Sequence, residues 1–194
     1  METQNTDVKF NNIWVAQFNM LTNLKKKIHQ EIINAKKGKK AYIILKINGL
    51  QDEAMIDELY KASEAGVKID LIVRGISCIV PGRSYSKNIR VIRLVDMFLE
   101  HARIWYFYNG GKEDLYFTSA DWMMRNLYRR IETAFPVLDK KIKQTIIKTL
   151  KIQLDDNVKA CFVDDCMQNV FKSKQSKSMK KVHAQQDIYK LLTL

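Results

Sequence analysis

The chain has 194 residues, 46% apolar and 28% charged, enough for one domain with a sizeable core or one domain plus a small appendage. With 7 Gly, 2 Pro and 3 Cys it is neither collagen, low-complexity disorder nor a disulfide miniprotein. The 33 Lys and Arg against 21 Asp and Glu leave a charge of +12, which implies a polyanionic partner: nucleic acid, anionic membrane or a phosphate polymer.

Cys78, Cys161 and Cys166 form no C-x-x-C pair, so three reduced thiols in a cytosolic protein are expected. The polar start, Met1 to Asp7, lacks the basic-then-apolar order of a signal peptide, and the apolar run Ala41–Leu45 is broken by Lys46. A soluble cytoplasmic chain is the expectation.

In chain order, Trp14 to Ala35 reads as an amphipathic helix with Trp14, Phe18, Leu21, Ile28 and Ile32 on one face, ended by the Lys36–Lys40 run around Gly38. Ala41–Ile47 reads as a strand, Asp52–Ala65 as a helix stopped by Gly66, and Val67–Val73 as a second strand. A strand–helix–strand unit argues a parallel pair and an α/β fold. The loop from Gly75 to Asn88 starts at a strand end, where such sheets bind ligands. Ile89–Leu94 is a short strand. Arg103–Tyr108 and Leu115–Thr118 flank Asn109-Gly110-Gly111-Lys112, a hairpin signal. Trp122–Tyr128 reads as a short helix, Arg130–Pro136 as an edge strand and Leu138–Leu154 as an amphipathic helix. Lys172–Lys181 is basic, Ser-rich and nearly free of apolar residues, hence a mobile arm suited to loose polyanion contact. Ala184–Leu192 closes the chain as a helix. The lysine runs 25–27 and 36–40 read as solvated helix surface, and His29 and His183 as surface residues.

The chemistry concentrates in Phe98-Leu99-Glu100-His101-Ala102-Arg103. On a strand, His101 and Arg103 at i, i+2 share one face. Ser119, Asp121, Arg125 and Asn126 follow beyond the hairpin and supply hydroxyl, carboxylate, guanidinium and amide groups. Arg offers a planar donor fork to phosphoryl oxygens, and His exchanges a proton near neutral pH, so the set suits phosphate. Ser119 or Asp121 would serve equally as the cap of the helix at Trp122. Glu100 and Glu132 are available partners for Arg125, Arg129 and Arg130.

These residues carry a resemblance. Val73-Arg74-Gly75-Ile76-Ser77-Cys78-Ile79-Val80-Pro81-Gly82, Phe98 to Ile104, Asn109-Gly110-Gly111 and Ser119 to Asn126 resemble, in this order, the C-terminal domain of bacterial polyphosphate kinases. Arg129 to Glu132, Phe135 to Asp139, Leu45 to Asn48 and Leu59 to Ser63 extend the likeness over most of the chain. It implies a phospholipase-D-like mixed β-sheet flanked by helices, the second of two such domains in the enzyme. It divides the chain into a leading helix and linker (1–40), that domain (41–170), and a basic arm with a closing helix (171–194).

The family's implied activity is reversible transfer of the ATP γ-phosphoryl to inorganic polyphosphate through a phosphohistidine on the partner domain. The resemblance places nucleotide contacts at Arg74 and His101, with His101 in a catalytic role, and we add Arg103 as a phosphate contact. Substrates would be ATP or ADP. Magnesium is implied, but no carboxylate cluster here marks its ligands. The expected partners are polyphosphate and the N-terminal domains of a homo-oligomeric, cytoplasmic enzyme with room for peripheral contact at the inner membrane. The chain is then a fragment, inactive alone. One departure stands out. Phosphodiesterases of that superfamily carry His-x-Lys and an Asp five residues after the Lys, where this chain has Arg103 and Tyr108. A stand-alone phosphodiesterase or nuclease is therefore the second reading. A non-catalytic polyanion-binding module is the third, although no recognised nucleic-acid motif supports a nucleic-acid partner.

Overall fold

The computed structural model describes residues 10–171 and 180–193. The strands are β1 (Trp14–Val15), β2 (Tyr42–Ile47), β3 (Lys68–Val73), β4 (Ile89–Arg93), β5 (Arg103–Phe107), β6 (Asp114–Thr118), β7 (Thr133–Pro136), β8 (Cys161–Val163) and β9 (Asn169–Phe171). The helices are α1 (Met20–Lys36), α2 (Glu53–Glu64), α3 (Lys140–Asp155) and α4 (Ala184–Thr193). One mixed sheet runs in the order β1-β7-β6-β5-β2-β3-β4-β8-β9. Its centre, β2, β3 and β4, is parallel as the strand–helix–strand pattern requires, and β5 joins β2 antiparallel.

Alternation along the central strands sorts the core into two layers. Ile43, Leu45, Ile47, Leu71 and Trp105 pack with Met20, Leu24 and Ile28 of α1 and Met55 and Leu59 of α2. Ile44, Ile72, Ile92 and Ile104 pack with Ile147, Leu150 and Leu154 of α3. A smaller cluster, Leu94, Ala160 and Ala184, seats the start of α4. Caps set two helix starts: Asp52 accepts from the Met55 N–H and Asp139 from the Ile142 N–H.

Several boundaries differ from the sequence reading. Trp14–Val15 is a strand, not a helix start, because Asn19 folds back: its Oδ1 accepts from Val15 N (2.7 Å) and its Nδ2 donates to the Ile13 carbonyl (3.3 Å). Trp14 then lies against Tyr116, ring centres 4.1 Å apart, and Phe18 is exposed, so the buried face of α1 runs through Met20, Leu24 and Ile28. The short helix expected at Trp122–Tyr128 is one wide turn at Arg125–Arg129, closed by Arg130 N–H to the Arg125 carbonyl. β7 is not a bare edge, since β1 covers Thr133 and Ala134. Strands β8 and β9 carry no clear periodic signal in the sequence. His183 is not a surface residue: it is half-buried and pairs with Asp96. Of the basic arm, residues 172–179 lie outside the described residues.

Asp156 closes α3 and ties three pieces of chain. It is fully buried; Oδ1 accepts from the backbone N–H of Val158, Lys159 and Ala160, and Oδ2 from Ala184 at 2.7 Å. Asp156→Ala strands four amide donors, so it is expected to cost about 3 kcal/mol or more, read as a drop in urea midpoint at unchanged slope.

Candidate functional site

The parallel strands β2 and β3 end side by side, and antiparallel β5 begins at the same end, since Lys46 pairs with Ile104. Asn48, Arg74 and Arg103 therefore meet at one end of the sheet. Gly75 permits the close approach: its N–H reaches the Asn48 carbonyl at 3.0 Å, and a Cβ there would lie 2.7 Å from that oxygen.

β6 pairs Thr118 with Arg103 and so delivers Asp121 to the same place. Asp121 is buried. Its Oδ2 accepts from Arg103 Nη2 at 3.0 Å, and its Oδ1 accepts from the backbone N–H of Asn48 (2.7 Å) and Gly49 (3.1 Å). Arg103 Nε lies 3.0 Å from Oδ1 as an ion-pair contact without an aligned hydrogen bond. Arg103 Nη1 donates to the His101 carbonyl at 3.3 Å, and Arg74 Nη2 lies 3.5 Å from His101 Nε2. Arg74 Nη1 and Asn48 Nδ2 are buried donors with no protein partner among the described residues. The result is a cluster of donors gathered round an exposed imidazole.

His101 differs from expectation in one respect. β5 starts at Arg103, so His101 lies in the irregular segment before it, and strand alternation does not set its direction. The segment is held from beneath. Lys46, only 7% exposed, points to the α3 side of β2 and pairs with Glu100. Lys46 also donates to Gln153 Oε1 (3.1 Å), while Gln153 and Gln185 donate to the Glu100 carboxylate. Burial drives Lys46 below the usual lysine range against the pull of Glu100. Burial would raise Glu100, but Lys46 and the amide donors outweigh it and hold the carboxyl below its usual value.

The remaining expected residues divide. Ser119 Oγ accepts from the Thr133 N–H (3.1 Å), and Asn126 Nδ2 donates to Glu132 Oε1 (2.6 Å), so both brace the β6–β7 connection. Arg125 is exposed on the wide turn. Asp121 is no helix cap but the clamp on Arg103. Glu100 and Glu132, available as partners for Arg125, Arg129 and Arg130, pair with Lys46 and Asn126 instead. Sequence reasoning missed Asn48, Gln153 and Gln185 as members of this network. The legible signal was Lys46, a lone cation in an otherwise apolar strand.

The carboxylates here do not suit magnesium. Asp121 is engaged by a guanidinium and two amides, and Glu100 by an ammonium and two side-chain amides, so neither is a free hard-oxygen ligand. Asp164, Asp165 and Cys166 cluster on the β8–β9 turn, but Asp164 Oδ1 already accepts from the Cys166 and Gln168 N–H groups.

Residues 13–185 match the model of the polyphosphate kinase C-terminal domain 2. The chain belongs to that family. It is 45% identical to the polyphosphate kinase of Vibrio parahaemolyticus over 95% of its own length and 26% of that relative, so it spans about a quarter of the length of that curated relative. The crystal structure of polyphosphate kinase from Porphyromonas gingivalis superposes with a TM-score of 0.93 at 55% identity, over 95% of this chain and 28% of that one. Nuc from Salmonella typhimurium, a phospholipase D family member, shares the fold at a TM-score of 0.50 and 12% identity, over 74% and 93% of the two chains. The fold is thus phospholipase-D-like. No helix among the described residues is long and apolar enough to cross a membrane.

A depressed carboxyl stabilises the folded state above its unfolded pKa and stops doing so as pH falls through its folded value. The stability difference between the wild type and Glu100→Gln is therefore expected to be full near neutrality and to shrink below about pH 4, measured by urea unfolding at a series of pH values.

Proposed function

We propose that this polyphosphate kinase domain binds the nucleotide and polymer phosphates for reversible transfer of the ATP γ-phosphoryl to inorganic polyphosphate. The histidine that carries the phosphoryl group would lie on another domain of the full-length enzyme. The observation that carries the reading is Arg74: its Nη1 is a buried donor without a protein partner among the described residues, beside His101 and the anchored Arg103. An unused guanidinium donor beside a second guanidinium that a carboxylate holds in place suits an anion.

In the transfer, the bond between the γ-phosphorus and the β,γ-bridging oxygen breaks, a P–N bond to the partner-domain histidine forms, and ADP leaves with the charge. The P–N bond then breaks as a terminal polyphosphate oxygen takes the phosphoryl group. Residues here position and neutralise: Arg74 and Arg103 hold phosphate oxygens, Asp121 holds Arg103, and His101 donates a hydrogen bond or stabilises charge. ADP is a good leaving group, so obligatory proton donation by His101 gains little. Magnesium would arrive with the nucleotide as part of the substrate. Ser119, Arg125 and Asn126 have no direct phosphate role in this reading.

The phosphodiesterase reading rests on the shared fold alone. Tyr108 follows the far end of β5, with Lys40 over its ring at 4.4 Å, so nothing at that position supplies the missing carboxylate to His101.

Titration calorimetry with ATP is expected to show binding to this chain, weakened at least about tenfold by Arg74→Ala, as loss of a charge-assisted contact predicts. Equal affinity in the variant overturns the assignment. The chain alone is expected to make no polymer from ATP and to leave a phosphodiester such as bis-p-nitrophenyl phosphate intact; hydrolysis would favour the second reading. In the full-length enzyme, His101→Gln is expected to lower turnover, and wild-type turnover with wild-type nucleotide affinity would remove His101 from the mechanism.

A further inference from the structure

Residues 94–102 link β4 to β5 without regular structure and carry His101. Beyond Leu94, which is buried at its start, burial does little to hold this link: Val95, Met97, Phe98 and Leu99 are all exposed, Met97 by 79%. A segment with no ladder and so few core contacts keeps a fixed shape chiefly through specific polar anchors.

Those anchors converge from the last helix. Phe98 N–H donates to Gln185 Oε1 (2.9 Å) and Gln185 Nε2 donates to the Phe98 carbonyl (2.8 Å), so one side-chain amide pairs with the peptide much as a neighbouring strand would. The same Nε2 reaches Glu100 Oε1 at 3.1 Å. The other oxygen of Glu100 receives Lys46 and Gln153. Asp96 is held by His183 (2.5 Å), with Lys159 at 3.8 Å. Helix α4 is itself fixed at its start, where Asp156 accepts from the Ala184 N–H.

We propose that Gln185 is a positioning residue that holds His101 beside Arg74, through Phe98 and Glu100. The claim rests on the phosphate-binding reading for its purpose, but its geometry stands apart from that reading. Gln185 touches neither His101 nor Arg74; it fixes the backbone on which the imidazole is mounted. Helix α4 thereby belongs to the site, although its residues carry none of the family motifs.

The test uses this chain, isotopically labelled, in four forms: wild type, Gln185→Ala, Gln185→Glu and Ile188→Ala. Ile188 packs α4 against the Leu94–Ala160–Ala184 cluster and so controls for loosening of the helix. Gln185→Ala is expected to speed exchange of the Phe98 amide at least about tenfold and to move the His101 ring signals toward those of a free histidine. It is also expected to weaken ATP binding by roughly three- to tenfold, because a disordered contact must be ordered on binding. Gln185→Glu keeps the acceptor for Phe98 but sets a second carboxylate against Glu100, so it should loosen the segment at least as much. Ile188→Ala should leave the Phe98 exchange and the His101 signals near wild type.

Unchanged Phe98 exchange and His101 signals in Gln185→Ala overturn the proposal. So does a change no larger than in Ile188→Ala, wild-type behaviour of Gln185→Glu, or faster exchange with unaltered ATP affinity. If the wild type binds no ATP, the phosphate-binding reading fails, and the His101 ring signals alone decide whether Gln185 positions it.

Discussion

The candidate site depends on where one carboxylate sits. Asp121 leaves the end of β6 and meets the start of β5 through Arg103 and the end of β2 through two amide N–H groups. A buried carboxylate is costly unless paired and hydrogen-bonded, and here both conditions hold at once. Because those partners come from two segments and Asp121 from a third, satisfying the charge also fixes the relative positions of all three. Arg103 is thereby locked at the sheet end before any ligand arrives, the kind of preorganisation that spares a binding site the cost of ordering a long side chain.

The second device is a cation buried on the opposite face of β2 from the larger core layer. Alternation puts Ile43, Leu45 and Ile47 against α1 and α2, and Ile44 and Lys46 toward α3. A lysine there is tolerable only with an anion, and the anion is Glu100, the residue before His101. The pair thus couples the interior of the sheet to a segment whose own apolar residues face outward. Replacing both ions by apolar residues would stabilise the interior as well or better, but it would leave that segment without its inner anchor.

The sequence showed the fold well where periodicity is local. The β2–α2–β3 unit, the hairpin and α3 are each signalled by their own residues, through spacing, caps or glycines. Trp14–Val15 misled because its partners, Ala134 and Thr133, lie more than a hundred residues away, while its spacing mimics the following helix. Strands β8 and β9 are three residues each, too short for a period to register. At the site, Arg74, His101, Arg103 and Asp121 were visible through motif likeness, and the structure gathers them. The roles of Ser119 and Asn126 were not visible, because a hydroxyl or amide that braces a turn has the same identity as one that meets a ligand. Gln185 was invisible for a related reason: its partners are a peptide group and a carboxylate far back in the chain, and neither leaves a periodic mark.

The net charge of +12 is a poor guide to the site itself. Lys27 pairs with Asp114, and Lys40 lies on the Tyr108 ring, both at the hairpin end of β5 and β6. That end is separated from the start of β5 by the length of the strand, roughly 15 Å at about 3.3 Å per residue. Exposed charges at that distance are screened, since the Debye length is about 8 Å at physiological salt. Within the site, Arg103 is matched by Asp121 and Lys46 by Glu100. Among the described residues, Arg74 is the cation beside His101 that no ion pair compensates. The lysine-rich surface can draw a polyanion toward the molecule, but in the reading proposed above the capacity to hold a phosphate at a defined point falls to Arg74 and the donors that Asp121 arranges around it.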